Sequence, residues 1–331
     1  MWNASGEPTV TNCAFIENEG DGLFYIGSQP ITGCRFIRNT NGSGLELFNG
    51  APDVIDCLFI ENSTRSGGAG MRTWPSTSPR LINCGFYGNS ATLSGGGLSG
   101  GGVLILLNCV FSGNRAGRSS GALSLNGPAL VLNSTFVGNS AVNSAGGIFV
   151  SSSATFNNCV LWGNSSSSGM TQASQIGWRA FEPPPDVRYS AIQGLTGSLG
   201  GVGNVDLDPL FVDADGPDDL PGTEDDNLRL SAASPLINLG DPDPPAVSAT
   251  DRDGHPRILC GRVDMGAYEF GIADFDCNGV VELSDFAAWP GCMTGPDNVP
   301  FAKGCEAFDF NADDDVDLPD FAALQNLLGD P

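Results

Sequence analysis

A short phrase of alternating apolar and polar positions recurs through the first two hundred residues. It reads "NCAFIEN" at Asn12, "GCRFIRN" at Gly33, "DCLFIEN" at Asp56, "NCGFYGN" at Asn83, "NCVFSGN" at Asn108, "NSTFVGN" at Asn133 and "NCVLWGN" at Asn158. Taking the Cys or Ser as reference, the spacings are 21, 23, 27, 25, 25 and 25 residues, and a degenerate copy, "YSAIQGL" at Tyr189, follows 31 residues later. Periods of this size belong to solenoids and arrays. Each unit resolves into three short strands. One follows glycine-rich turns, as in "GLELF" and "GGIFV". The second ends on an apolar residue three before the reference: Val10, Ile31, Val54, Leu81, Leu106, Val131 and Phe156. The third is the Cys-x-Phe segment, whose Cys and Phe share one strand face. Because the earlier apolar residue has the opposite parity, the chain must bend between the second and third strands. The residue before the reference is Asn, Gly or Asp in all seven clear copies, the types that tolerate a left-handed backbone.

Three strands per turn of about 25 residues, stacked on themselves, predict a parallel β-helix of about eight coils. A hexapeptide helix would need a six-residue period and a propeller about 40 residues per blade; neither is present. Stacking places Phe15, Phe36, Phe59, Phe86, Phe111 and Phe136 in an internal column continued by Leu161 and Ile192. Asn18, Asn39, Asn62, Asn89, Asn114, Asn139 and Asn164 form an amide ladder at a turn. Six of the ten Cys occupy the repeated inward position. Parallel stacking does not suit the disulfide dihedral, so these are expected to be free thiols packed as small hydrophobes. The coils resemble the "GG-hydrophobic" and "FxxN" repeats of polymorphic outer membrane proteins and related right-handed β-helix repeat proteins, over residues 8–194. Right-handedness is what that resemblance, and the preference of parallel crossovers, imply.

Composition divides the chain. The 46 Gly of 331 residues lack a three-residue period, which excludes collagen. Residues 1–203 carry 10 acidic and 9 basic residues, a net of −1, whereas residues 204–331 carry 28 and 5, a net of −23. Such an acidic end repels nucleic acid and anionic membrane and suits divalent cations. The longest apolar run is "VLILL", Val103 to Leu107, far short of a membrane span. The chain starts abruptly inside a repeat and reads as a piece of a longer precursor, so a missing signal peptide says nothing about location.

Three regions follow: coils over 1–203, a terminal coil and cap over 204–270, and an acidic module over 271–331. The middle region, "GNVDLDPLFVD" through "VDMGAYEF", resembles the terminal segment of secreted bacterial surface proteins, including those of choice-of-anchor type. It is expected to cover the open end of the coil. Its insert Asp213 to Asn227 holds seven carboxylates in fifteen residues, and Asp213, Asp215, Asp225 and Asp226 are candidate calcium ligands. The module carries two aligned loops. In "DFDCNGVVELSDF", oxygen ligands fall at Asp274, Asp276, Asn278, the Val280 carbonyl, Glu282 and Asp285, with Gly279 at the turn. In "DFNADDDVDLPDF", they fall at Asp309, Asn311, Asp313, the Asp315 carbonyl, Asp317 and Asp320. Both match the EF-hand spacing for Ca2+, and a helical segment follows each. Over residues 272–330 the pair resembles a type I dockerin, although Asp314 replaces the second turn Gly and Pro290 shortens the first helix. That resemblance implies calcium-dependent folding, docking on a cohesin-like or cell-surface partner, and an extracellular setting. Cys292 and Cys305 are placed to clamp the linker between the loops; Cys260 and Cys277 leave further pairings open.

Catalysis asks for more. A polysaccharide lyase needs an Arg or Lys base beside calcium-holding carboxylates, and a hydrolase needs paired Asp or Glu. No Lys precedes Lys303, and the single His, His255 beside Pro256, reads as a surface residue. Glu17 and Glu61 face outward in non-adjacent coils, and Arg72, Arg80, Arg115 and Arg118 are expected to lack an accompanying carboxylate cluster. No catalytic residue is assigned. The leading expectation is a non-catalytic scaffold or adhesin-like surface protein. Exposed aromatics such as Trp74 and Trp162 leave polysaccharide binding open. The rival is a polysaccharide-acting enzyme, lyase or glycoside hydrolase, tethered by the tail.

Overall fold

The computed structural model describes residues 8–245, 249–258, 261–270, 289–294, 305, 308 and 316–322. Its body is a right-handed parallel β-helix. Strands do not pair with their sequence neighbours; each pairs in parallel with its counterpart one coil on. Four sheets result rather than the three expected strands per coil. The apolar sheet, from Val10–Thr11 to Asp186–Arg188, and the phenylalanine sheet, from Ala14–Ile16 to Ala191–Ile192, have eight strands each. The glycine-led sheet, from Leu23–Ile26 to Ile176–Trp178, has seven. The fourth, a short sheet from Glu19–Gly20 to Ser140–Ala141, has six strands of two residues. Two residues give no alternation to read, which is why this sheet is silent in the sequence.

The bends fall where the amide residues predict. Asn12, Asp56, Asn83, Asn108, Asn133 and Asn158 have φ between 48° and 55°, Gly33 has 62°, and Tyr189 in the degenerate copy has 45°. A second left-handed bend lies five residues on, at Glu17, Arg38 and Glu61 and then at Gly88, Gly113, Gly138 and Gly163. The early coils bear the cost of non-glycine residues in αL, and there Arg38 bridges Glu17 at 2.9 Å and Glu61 at 4.0 Å.

Between the bends the core assembles by stacking. Phe15, Phe36, Phe59, Phe86, Phe111 and Phe136 are offset-stacked with centroids 4.4–4.9 Å apart and planes within 12°. That spacing follows from the strand separation in a sheet, and such pairs add to the burial term. The asparagine ladder runs beside it. The Asn89 backbone N–H and side-chain Nδ2 both donate to Asn114 Oδ1, at 3.0 and 2.9 Å, and Asn114 Nδ2 donates to Phe86 O and Asn139 Oδ1. From Asn39 to Asn164 each amide is buried and satisfied within the ladder, as buried polar groups must be. Gln175 ends it, its Oε1 accepting from Asn164 Nδ2 at 2.8 Å. Gly70, just before Met71–Thr73, shows why glycine precedes the strands of the glycine-led sheet: a Cβ there would lie 2.6 Å from the Gly97 carbonyl and 2.9 Å from the Phe86 ring. Cys34, Cys57, Cys84, Cys109 and Cys159 are buried free thiols, as expected, and Cys13 is exposed at the first coil. Burial pushes the Cys159 thiol up to about 12, so it packs and does not react.

The terminal segment departs from expectation. Gly200 and Val205 add a last rung beside Asp186 and Ala191. The chain then runs back along the flank instead of covering the open end. It lies on the outer surface of the phenylalanine sheet, where Leu228, Ala267 and Tyr268 pack on Ile60, Tyr87, Val110 and Val137. Further along, Leu230, Leu236 and Met265 pack on Val160 and Ala191. From Leu58–Ile60 onward this sheet is therefore covered on both faces, and these strands are largely apolar at both parities, a pattern of covered sheets.

Candidate functional site

Hydrogen bonds fasten this flanking strap to the bends. Asn108 Nδ2 donates to Thr250 O at 2.8 Å, Asp241 N to Asn158 Oδ1 at 2.7 Å, Gly266 N to Asn158 O at 2.8 Å and Ala267 N to Thr135 Oγ1 at 3.0 Å. Arg252 reaches between strap and coil, donating to Asn83 O and, at 3.4 Å, to Tyr87 OH. Glu224 binds Arg35 through both guanidinium nitrogens at 2.7 and 2.6 Å. Gly113 and Gly222 meet so closely that a Cβ on Gly113 would lie 2.4 Å from the Gly222 Cα.

The sequence "DRDGHPR…VDMGAYE" forms a buried charged staple inside the strap. Asp251 accepts from Asp253 N and His255 N through Oδ1 and from Glu269 N through Oδ2. Asp264 accepts from Asn238 N and Phe270 N, and Glu269 accepts from Asp264 N. Arg257 serves two of these carboxylates, lying 3.2 Å from Glu269 and acting through its charge on Asp264, and it is bonded to the Gly266 carbonyl. His255 is not the surface residue expected; its side chain is half-buried with Nδ1 3.9 Å from Asp251 Oδ1. Burial raises all three carboxylates, Asp264 to about 6, with Arg257 opposing for Asp264 and Glu269 and His255 opposing for Asp251. A carboxyl raised in the folded state stabilises below its unfolded pKa and loses that contribution as pH rises through its folded value. The strap is thus expected to be held best near pH 4 and to loosen between pH 4 and 7. For Asp264 the change is on the order of 3 kcal/mol, from a shift of about two units. Hydrogen exchange at the Asn238 and Phe270 amides measures it, and Asp264→Asn should flatten the slope; greater protection at pH 7 than at pH 4 would contradict it.

Among the described residues, Asp251, Asp253 and His255 present ligand atoms within 4.8 Å of one another. Both Asp251 oxygens hold backbone N–H groups, and both Asp253 oxygens bind Arg229 at 2.7 Å. The cluster is therefore committed to structure, and no metal is assigned to it. Of the four insert carboxylates, Asp225 and Asp226 share the Thr223 hydroxyl. Asp226 is buried, accepting from Ser112 Oγ and Gly222 N, Asp225 bonds Thr223, and Asp213 lies in the strand Phe211–Asp213.

In the acidic module, Asp274, Asp276, Asn278, Val280, Glu282, Asp285, Asp309, Asn311, Asp313 and Asp315 lie outside the described residues. Asp317 and Asp320 are described: Asp320 is buried and its Oδ2 accepts from Asp317 N at 2.9 Å, half of a capping box at a helical turn. Cys292 and Cys305 form a disulfide, the clamp anticipated from the sequence. Trp289 contacts Phe308 edge-on at 5.0 Å and Phe321 at 5.5 Å, and Thr294 N donates to Val316 O at 3.0 Å.

The arginines do not share a cleft. Arg80 pairs with Asp53 at 2.6 Å, and Arg115 lines a groove of the short sheet with Arg65, Ser90 and Thr92. Trp162 is partly buried against the strap. Arg72 stands on the glycine-led sheet, its guanidinium 4.9 Å over the Trp74 ring. Here the expectation of no accompanying carboxylate pair fails. Trp74 Nε1 donates to Glu46 Oε1 at 2.6 Å, and Asp21 stands near enough for its charge to act on Glu46. Burial, then Asp21, raises Glu46, while Trp74 and Arg72 oppose. Glu46 and Arg72 sit in register on adjacent strands. Asp21 comes from the preceding turn, so only the register of the coils brings the three together.

A family model described as "Right handed beta helix region" matches residues 31–176. No curated protein matches the chain, and no solved structure matches it. No helix of the described residues is long and apolar enough to cross a membrane.

Proposed function

We propose that this chain is an extracellular, non-catalytic scaffold or adhesin-like surface protein whose acidic C-terminal module binds Ca2+ and docks on a cohesin-like or cell-surface partner. The observation that supports the reading is the packing of Trp289, which follows the first acidic loop, against Phe308 and Phe321, which bracket the second. Residues that flank the two loops thus share one small aromatic core, with a disulfide in the segment between them, which supports reading the loops as coupled parts of one module. A site that brings several carboxylates together is unfavourable until a cation compensates them, so ion binding and module order rise together. Calorimetric titration of the whole chain is expected to give two calcium ions bound, and Asp309→Ala to remove one. A chain that takes up no calcium would overturn the reading.

A second reading, a glycan-acting enzyme, is favoured by the Asp21–Glu46 pair beside Arg72. Two neighbouring carboxyl groups are the side chains that glycoside hydrolysis uses. Release of reducing ends from a polysaccharide, lost in Glu46→Gln, would establish it.

A further inference from the structure

The same region of the glycine-led sheet carries an aromatic ledge. Phe24, Phe48 and Trp74 stand on three successive coils, with ring centroids 5.8 and 5.3 Å apart and planes tilted by 34° and 56°. The internal phenylalanines stack nearly flat; these rings splay, and Phe48 is 41% exposed. Around them stand half-buried hydrogen-bonding groups: Glu46 on the Trp74 indole, Arg72 over its ring, and Asp21, whose Oδ1 accepts from Ser43 N at 2.7 Å. Apolar rings bordered by a few fixed polar groups are the usual composition of a ligand site.

We propose that this ledge binds a neutral glycan strand lying along the axis of the β-helix. The coils rise about 4.8 Å per rung, close to the length of one sugar ring, so successive rings of a glycan meet successive aromatic side chains. The C–H face of a pyranose packs on aromatic surface, while carboxylate and guanidinium groups pair with its neighbouring hydroxyls. Charge selects the class. Two carboxyl groups stand against one guanidinium, which repels uronate and sulfate chains and favours an uncharged one. Binding of this kind holds whether or not Asp21 and Glu46 also act on the strand, and it does not depend on the calcium module.

Affinity electrophoresis of the full chain tests it, in gels containing soluble β-glucan, xylan, galactomannan or polygalacturonate. At least one neutral glycan is expected to retard the protein, and polygalacturonate is not. Phe48→Ala should weaken that retardation at least tenfold and Glu46→Gln should weaken it measurably. Leu93→Ala, which trims an exposed apolar side chain on a distant turn, should leave it unchanged. Phe48 is exposed, so its truncation leaves the fold intact, and an unchanged thermal midpoint verifies this. Failure of every neutral glycan to retard the chain, preference for polygalacturonate, or wild-type retardation in both ledge variants would overturn the proposal.

Discussion

Phe86→Ala is expected to lower the stability of the coil body by about 3–5 kcal/mol, the range for truncating a buried aromatic side chain. Phe86 is fully buried and sandwiched between Phe59 at 4.5 Å and Phe111 at 4.4 Å. Its loss removes two stacking partners at once, and the rigid coils above and below cannot close the gap. Gly70 lies close against the ring and the Asn114 side chain holds the backbone, its Nδ2 donating to the Phe86 carbonyl at 2.9 Å. Collapse there would break that buried hydrogen bond, a further cost. Phe48→Ala, on the exposed ledge, should cost far less. Chemical denaturation of the two variants measures the contrast, and equal losses would mean that the internal column does not carry the core.

The column, the asparagine ladder and the left-handed bends were legible because each recurs six or seven times at spacings of 21–27 residues, and stacking turns repetition into contact. The apolar residues three before each Cys, from Val10 to Phe156, are buried at or below 5% exposure, so the parity argument found the bend between two strands. What the period does not encode was not legible. The two-residue strands of the short sheet are too brief to alternate. The strap occurs once, and its path along the flank depends on single matches such as Gly222 against Gly113 and Asp241 against Asn158. A signal for it existed: Leu58, Ile60, Val110, Val137 and Val160 make the phenylalanine strands apolar on their outward face too, and a solvated face would have been polar. The carboxylate pair was hidden for a related reason. Asp21 and Glu46 are 25 residues apart in different contexts, one in a turn and one in a strand. Their meeting follows from the coil register of Phe24 against Glu46, not from any local motif.

The calcium module carries the second large effect. Asp274→Ala together with Asp309→Ala removes the first ligand of each loop, and uptake of calcium should be abolished, because a site of hard oxygen ligands loses affinity steeply with each carboxylate removed. The coil body shares no residue with the loops and should keep its strand signal in chelator. Its order comes from the phenylalanine column and the amide ladder.

Hydrogen exchange of the whole chain, in calcium and in chelator, tests this account most directly. The amides around Trp289–Cys292 and Val316–Ala322 should be protected only in calcium, by a margin set by the binding free energy, while those of the coil strands stay equally slow in both. Identical exchange around Trp289 and Phe321 in the two conditions would contradict it.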